Sequence, residues 1–295
     1  MSMKEDKNKV AVEVSKVSNE ATPKVSSEAS KVSQEAPKLS KRLAALAGLV
    51  KQGARFADIG TDHALLPVHL ALSGTIAYAV AGDVNAGPAE AARRQVLAAG
   101  VGDIVSVRHG DGLSVLAPDE VDTVCIAGMG GSLMVRLLEE AGDALSGVTT
   151  LILSPHVAED QVRRWLEANR YVLELERLVE EDGEIYTLLR AERAASAASS
   201  EAVHAALYDA KLLGDACQAV PADLLYEMGP LLLRSPDKAF MAKWRGELAK
   251  RERIAQGMKQ SEAADTRAKL EVWTRTTKDI EEVLACLQGE RRSPN

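Results

Sequence analysis

The chain has 295 residues, a formal net charge of −7, 46% hydrophobic residues and only 3% aromatic residues. This supports one α/β domain of ordinary size plus a smaller element. No apolar stretch approaches a membrane span, no signal core follows Met1, and Cys125, Cys217 and Cys286 are too scattered for a disulfide framework or a zinc site. A soluble, cytoplasmic protein is expected. The acidic total argues mildly against nucleic-acid binding, although phosphate recognition depends on local basic patches.

Residues 1–37 are rich in Lys, Ser, Val and Glu, and Lys-Val-Ser recurs at Lys16, Lys24 and Lys31. Without aromatics this segment cannot bury enough apolar area to offset its ordering entropy, so a disordered tail is expected. A catalytic domain is expected over 38–192. Its elements alternate: helix 40–50, strand 55–59, helix 64–72, strand 76–82, helix 88–99, strand 104–108, strand 123–126, helix 132–140, strand 149–153 and helix 158–169. Strands 171–177 and 184–189 close the series as a hairpin. Such alternation implies a parallel sheet covered on both faces, which binds ligands at the carboxyl ends of its strands. Residues 193–222 read as a linker or insertion, because 194–203 are mostly Ala and Ser. Over 223–290, Met241, Trp244, Leu248, Arg251, Ala255 and Met258 are matched by Leu270, Trp273, Thr277, Ile280, Leu284 and Leu287. Two such seams around a polar turn at 259–266 describe an antiparallel helical hairpin, weakened by Arg251 and Thr277.

The chemistry gathers at strand ends. Asp58-Ile59-Gly60-Thr61-Asp62-His63 closes the first strand, and Asp83 closes the second. An acid and a glycine, followed by an acid roughly 20 residues on, suit a nucleoside whose ribose hydroxyls need an acceptor. The glycine triplet that cradles a pyrophosphate is missing, and Asp62 would repel an anion. A cationic ligand such as S-adenosylmethionine (SAM) fits better. Asp58 would receive the ligand's ammonium; alternatively it caps the following helix. Asp83, with Val84 and Asn85, is the ribose candidate or else a plain turn. In Gly110-Asp111-Gly112, Asp111 could accept the adenine amino group, although Gly-Asp-Gly is also an ordinary turn. Ala127-Gly128-Met129-Gly130 leaves the backbone open to cofactor and acceptor, or else packs a strand tightly onto a helix. The five histidines show no metal-ligand spacing, so no metal is expected.

Taken in order, Leu39-Ser40-Lys41-Arg42-Leu43, Asp58 to Ala64, Pro67, Asn85-Ala86-Gly87-Pro88, Gly110-Asp111-Gly112-Leu113, Ile126 to Gly131, Arg164-Trp165-Leu166, Glu180-Glu181-Asp182-Gly183 and Tyr226-Glu227-Met228-Gly229-Pro230 form one pattern. From about Leu39 to Leu287 the chain resembles the bacterial tRNA (adenine-22-N1)-methyltransferases. The resemblance implies an α/β fold, a Rossmann-like class I methyltransferase sheet with a C-terminal antiparallel helical hairpin. It implies SAM as cofactor and methylation of adenine N1 at position 22 of tRNA. The family usually has an aromatic residue at Leu65 and Gln-Pro-Asn at Ser154-Pro155-His156; the latter departure falls where related enzymes hold the target amine.

On this reading Asp62, His63 and Arg42 are the catalytic candidates. Lys41, Arg42, Ser154, His156, Lys243, Arg245 and Lys250 are the substrate contacts. Neutral adenine N1 is already nucleophilic, so no base is required, and Asp62 would stabilise the developing positive charge. Lys38, Lys238, Arg251, Arg253, Lys259, Arg267 and Lys269 are further cations for RNA, unless they belong to a solvated coiled-coil face. A monomer is expected. A SAM-dependent enzyme acting on a protein or small molecule, and a non-catalytic SAM- or RNA-binding scaffold, are the competing readings.

Overall fold

The computed structural model describes residues 36–214, 220–260 and 264–290. The expected disordered tail therefore lies outside the described residues except for 36 and 37, as does Cys217. Seven strands form one sheet in the order β3-β2-β1-β4-β5-β7-β6: β1 Ala54–Ile59, β2 Ile76–Asp83, β3 Val105–His109, β4 Thr123–Met129, β5 Thr150–Pro155, β6 Tyr171–Glu181 and β7 Glu184–Arg193. The first five are parallel; β7 runs antiparallel against β5 and carries β6 as the edge. Asp182 and Gly183, both at positive φ, make the two-residue turn between them.

Helices α1 Lys41–Ala47, α2 Leu65–Leu72 and α3 Ala86–Ala98 cover one face, over Phe56, Ala79, Cys125 and Ile152. Helices α4 Gly131–Glu140 and α5 Glu159–Ala168 cover the other, over Val80, Val124, Leu151 and Leu189. From β1 the chain builds outward to β3 and then returns to β4 on the opposite side of β1. The crevice at that reversal, above the ends of β1 and β4, is where open α/β sheets bind ligands.

Part of the expected linker is ordered. Helix α6 Ala197–Leu207 begins with a reciprocal capping box between Ser196 and Ser199. Its buried His204 hydrogen-bonds Ser200 and the Tyr171 carbonyl, which anchors the helix. The serines that made this stretch look like a linker are its start signal.

The chain continues through α7 Ala222–Met228 and α8 Pro230–Arg234 into the long helices α9 Lys238–Lys259 and α10 Ala264–Glu290. Phe240, Met241, Trp244, Ile280, Leu284 and Leu287 form a third core that also includes Leu178 of β6 and Leu224, Leu225 and Met228 of α7. The hairpin thus grows out of the sheet's edge ribbon. Arg251 is buried in the seam, ion-paired to Glu227 and lying 4.7 Å over the Trp273 ring. Its charge is directed inward rather than toward RNA. Cys125 is a buried free thiol, whereas Cys286 is disulfide-bonded, against the expectation from spacing.

The Tyr226-Glu227-Met228-Gly229-Pro230 motif has a structural role here. Arg163 of α5 and Glu176 of β6 form an ion pair at 2.7 Å with side chains 1% and 0% exposed. Arg163 also donates to the Tyr226 and Glu227 carbonyls, and Glu176 accepts from the Leu231 and Leu232 N–H groups. Gly229 sits at φ 94, and a Cβ there would lie 2.8 Å from Arg163 Nη2 and from both Glu176 oxygens. Only glycine allows the backbone to approach this pair so closely.

Candidate functional site

The two acids of the crevice are held by neighbouring loops. Asp58, at the end of β1, is buried and accepts from Thr61 Oγ1 at 2.7 Å. It does not cap α2, whose first turn follows a left-handed Ala64 with no side-chain cap. Burial pushes the Asp58 carboxyl up to about 6; the Asp83 charge adds to this, while the Thr61 hydrogen bond and Arg42 oppose it. Asp83 accepts from Asp62 N–H at 3.3 Å and Asn85 N–H at 2.8 Å, so it ties the β1 and β2 loops together. Gly60 and Thr61 donate to the Gly82 carbonyl. Val84 and Asn85 stand exposed beside Asp83.

On the same side, Gly110 N–H donates to the Asp83 carbonyl at 3.0 Å, and His109 Nε2 lies 3.0 Å from the Val84 carbonyl. Asp111 is exposed and does not cap the short 3-10 turn at Gly112–Val115, leaving its carboxylate to face solvent. Asp58, Asp83 and Asp111 thus line three consecutive strand ends.

Across the switch point, β4 ends in Ala127, Gly128 and Met129, and Gly130 follows as the cap of α4. Gly128 is at φ 80; a Cβ there would lie 3.6 Å from Arg42 Nη1 and 3.9 Å from His156 Nε2. Gly128 thus lies against both of those side chains. His156 N–H donates to the Met129 carbonyl at 2.9 Å. Ser154 pairs in register with Ala127, and its buried Oγ has no hydrogen-bond partner among the described residues. Arg42 Nε and Nη1 are likewise buried without partners. The Arg42 N–H is received by Glu181, which fixes α1 to the β6–β7 turn.

The structure therefore brings Arg42, Ser154 and His156 together with the acids. It also adds Tyr186, absent from the sequence reading, whose ring lies 4.9 Å below the Arg42 guanidinium and 5.6 Å from the His156 ring. Its alternation with Leu188 on β7 placed it on the α1 face, but the chemistry of that face was not legible before folding. Asp62 and His63 form a 3.4 Å pair at the rim, with side chains 71% and 59% exposed.

The remaining candidates lie apart. Lys41 is exposed on α1. Lys243 is bound to Glu159 at 2.5 Å and Thr187 at 2.7 Å, clasping α9 to the sheet. Arg245 and Lys250 are exposed on α9, as are Lys238, Arg253 and Lys259. Arg267 and Lys269 are exposed on α10. No cluster of His, Cys, Asp and Glu among the described residues could hold a metal, and no described helix is long and apolar enough to cross a membrane.

A family model described as a methyltransferase domain matches residues 39–189. The chain is 38% identical over 229 residues to the tRNA (adenine(22)-N(1))-methyltransferase of Bacillus subtilis, covering 78% of this chain and 88% of that protein. It is similar to the crystal structure of the B. subtilis m1A22 tRNA methyltransferase, with TM-score 0.73, 35% identity and coverage of 83% of this chain and 98% of the other. A putative tRNA (m1A22) methyltransferase from Streptococcus pneumoniae, in complex with S-adenosyl-L-methionine, aligns with TM-score 0.67 and 32% identity, over 84% of this chain and all of the other.

Proposed function

The chain belongs to the tRNA (adenine-22-N1)-methyltransferase family, and on that premise we propose that it transfers a methyl group from SAM to N1 of an adenine in tRNA, at position 22. The observation that carries this reading is the pairing, at one topological switch point, of a buried acid ladder with orphaned donors. Asp58 and Asp83 form the ladder; Arg42 and Ser154 hold the unmatched groups.

The donor set fits the cofactor. Asp58 offers a desolvated carboxylate to an ammonium, Asp83 keeps acceptor capacity for ribose hydroxyls, and Asp111 is free to accept from an adenine amino group. Gly60, Gly110 and Gly112 keep these turns narrow, and Val84 offers an apolar face. When bound, SAM supplies an electrophilic methyl group on a sulfonium. The protein's task is to align acceptor nitrogen and methyl carbon in line, which supplies most of the acceleration. No group need remove a proton from N1 before attack. The methylated ring becomes cationic, and Asp62, exposed until RNA covers the rim, is the carboxylate placed to offset that charge. His63 orients Asp62. N1 lies on the Watson–Crick edge, so the base must leave its pair to reach the crevice.

Asp83→Ala is expected to weaken SAM binding by roughly 1.5–3 kcal/mol, the worth of hydrogen bonds to a charged group. Calorimetry on the folded variant checks this; unchanged affinity would remove Asp83 from the site.

The sheet supplies the chemistry and the hairpin supplies grip on the tRNA backbone through Arg245, Lys250 and neighbouring exposed cations. Lys243 serves the fold, so charge reversal is best confined to Arg245→Glu with Lys250→Glu. This double variant should bind SAM normally, raise the KM for tRNA and reduce the salt dependence of binding by about two counterions. A wild-type salt slope and KM would remove α9 from the interface. The protein works in the cytoplasm, with its tRNA, as a monomer.

A further inference from the structure

We propose that the apolar groove between α9 and α10 is a stacking site for an unpaired base of the tRNA, with Trp273 as its platform. The site rests on the proposed function and deepens it, adding a base contact to the backbone contacts of α9. The groove has a volume of about 640 Å³ and is lined by Met258, Ala268, Lys269, Val272, Trp273 and Thr276, beside Arg251. That volume lies in the range of sites for small ligands. Ala268 is exposed and Val272 is 55% exposed, so the groove opens to solvent.

The indole is fixed before any ligand arrives. Its Nε1 donates to the Arg251 carbonyl at 3.0 Å, and the Arg251 guanidinium, ion-paired to Glu227 and Glu247, lies 4.7 Å from the ring centroid. The Thr276 hydroxyl donates to the Val272 carbonyl. The groove therefore offers apolar and aromatic surface rather than free hydrogen-bonding groups, which suits the face of a base and not a phosphate.

Charge identifies the polymer that carries the base. Lys259, Arg267, Lys269 and Arg275 are exposed, and each lines the groove or adjoins a lining residue. The ion pairs of the two helices engage Lys243, Lys250, Arg251 and Lys278, so these four cations have no acidic partner among the described residues. Glu252 and Glu271 are the acids in equivalent positions, which leaves the rim positive in a chain of net charge −7. A second copy of this chain, paired through the same face, would bring those cations together. An anionic strand with unpaired bases satisfies both the rim and the groove.

The test measures binding of the full chain, over a series of salt concentrations, to a tRNA transcript and to an RNA duplex of the same length. Trp273→Ala should weaken tRNA binding roughly tenfold at every salt concentration, with the salt slope unchanged. Ala268→Gln, a neutral and helix-compatible change that fills the groove, should do the same without touching the Trp273–Arg251 contacts. Trp273→Phe should recover most of the loss, because a ring remains. Lys269→Gln should instead reduce the salt slope by about one. Binding of the duplex, whose bases are paired and stacked, should be equal for Trp273→Ala and the wild-type protein. Circular dichroism and calorimetric SAM affinity establish that each variant is folded.

Unchanged tRNA affinity in Trp273→Ala and Ala268→Gln would overturn the proposal, and so would an equal loss on the duplex. Wild-type dimers in sedimentation that Ala268→Gln dissociates would also overturn it, assigning the groove to a second copy. A wild-type protein that binds no tRNA would overturn the proposed function together with it. Formation of 1-methyladenosine in tRNA by variants of undiminished tRNA affinity would overturn the groove alone.

Discussion

Asp58→Asn is expected to weaken SAM binding strongly and at the same time stabilise the ligand-free protein. The folded carboxyl, raised by burial from 3.8 to about 6, holds its proton more tightly than the unfolded one. Below about pH 4 both states are protonated and nothing is lost. As pH rises through 6 the unfolded state has released its proton easily, whereas the folded state must place a charge in a desolvated site. Two pH units correspond to up to about 3 kcal/mol, lost between pH 4 and 6 and absent at all higher pH. Asparagine cannot ionise and keeps the shape that accepts from Thr61, so it recovers much of that energy at neutral pH. On the proposed assignment, the ammonium of SAM is the partner that makes the charge worthwhile. Its loss should cost about 2–3 kcal/mol, a 30- to 150-fold weaker Kd. Wild-type SAM affinity should likewise fall as pH drops below 6. Denaturant melts and calorimetry at pH 5 and 7.5 check both halves; a destabilised variant that still binds SAM tightly would contradict the assignment.

The second large effect concerns the joint between sheet and hairpin. Arg163→Met should cost about 3–5 kcal/mol, because it leaves Glu176 as a buried charge without its guanidinium and strands the Tyr226 and Glu227 carbonyls. Replacing both members, Arg163→Met with Glu176→Leu, should recover part of the loss, since a buried ion pair is often no better than apolar residues of similar volume. Denaturant midpoints of the two variants measure this. Equal midpoints for wild type and the single variant would show that the pair is not what joins α5, β6 and the Gly229 turn.

Much of the sheet was legible because β1 to β4 are short runs rich in apolar residues that end at or beside Gly or Asp. Asp58, Asp83, Gly110 and Gly128 could be placed at the carboxyl edge for the same reason. The hairpin seams were legible from their spacing. What escaped depended on partners distant in sequence. Nothing near Lys243 reveals Glu159, which is 84 positions away. Nothing near Gly229 reveals Arg163 and Glu176, and the Tyr186 ring acquires meaning only when α1 lays Arg42 across it. Helix α6 was missed for a different reason: Ser and Ala suggest flexibility unless Ser196 and Ser199 are recognised as a reciprocal cap. The weak seam at Arg251 was visible, but its resolution by Glu227 and Trp273 was not.

The central claim is methyl transfer to N1 of an adenine in tRNA, and mass spectrometry of nucleosides from tRNA incubated with the protein and SAM tests it most directly. The expected product is 1-methyladenosine, strongly reduced at limiting SAM when Asp58→Asn protein is used and absent from tRNA whose adenine 22 is replaced by guanine. Methylation of a different nucleoside, or transfer to protein or small molecules with none to tRNA, would contradict it.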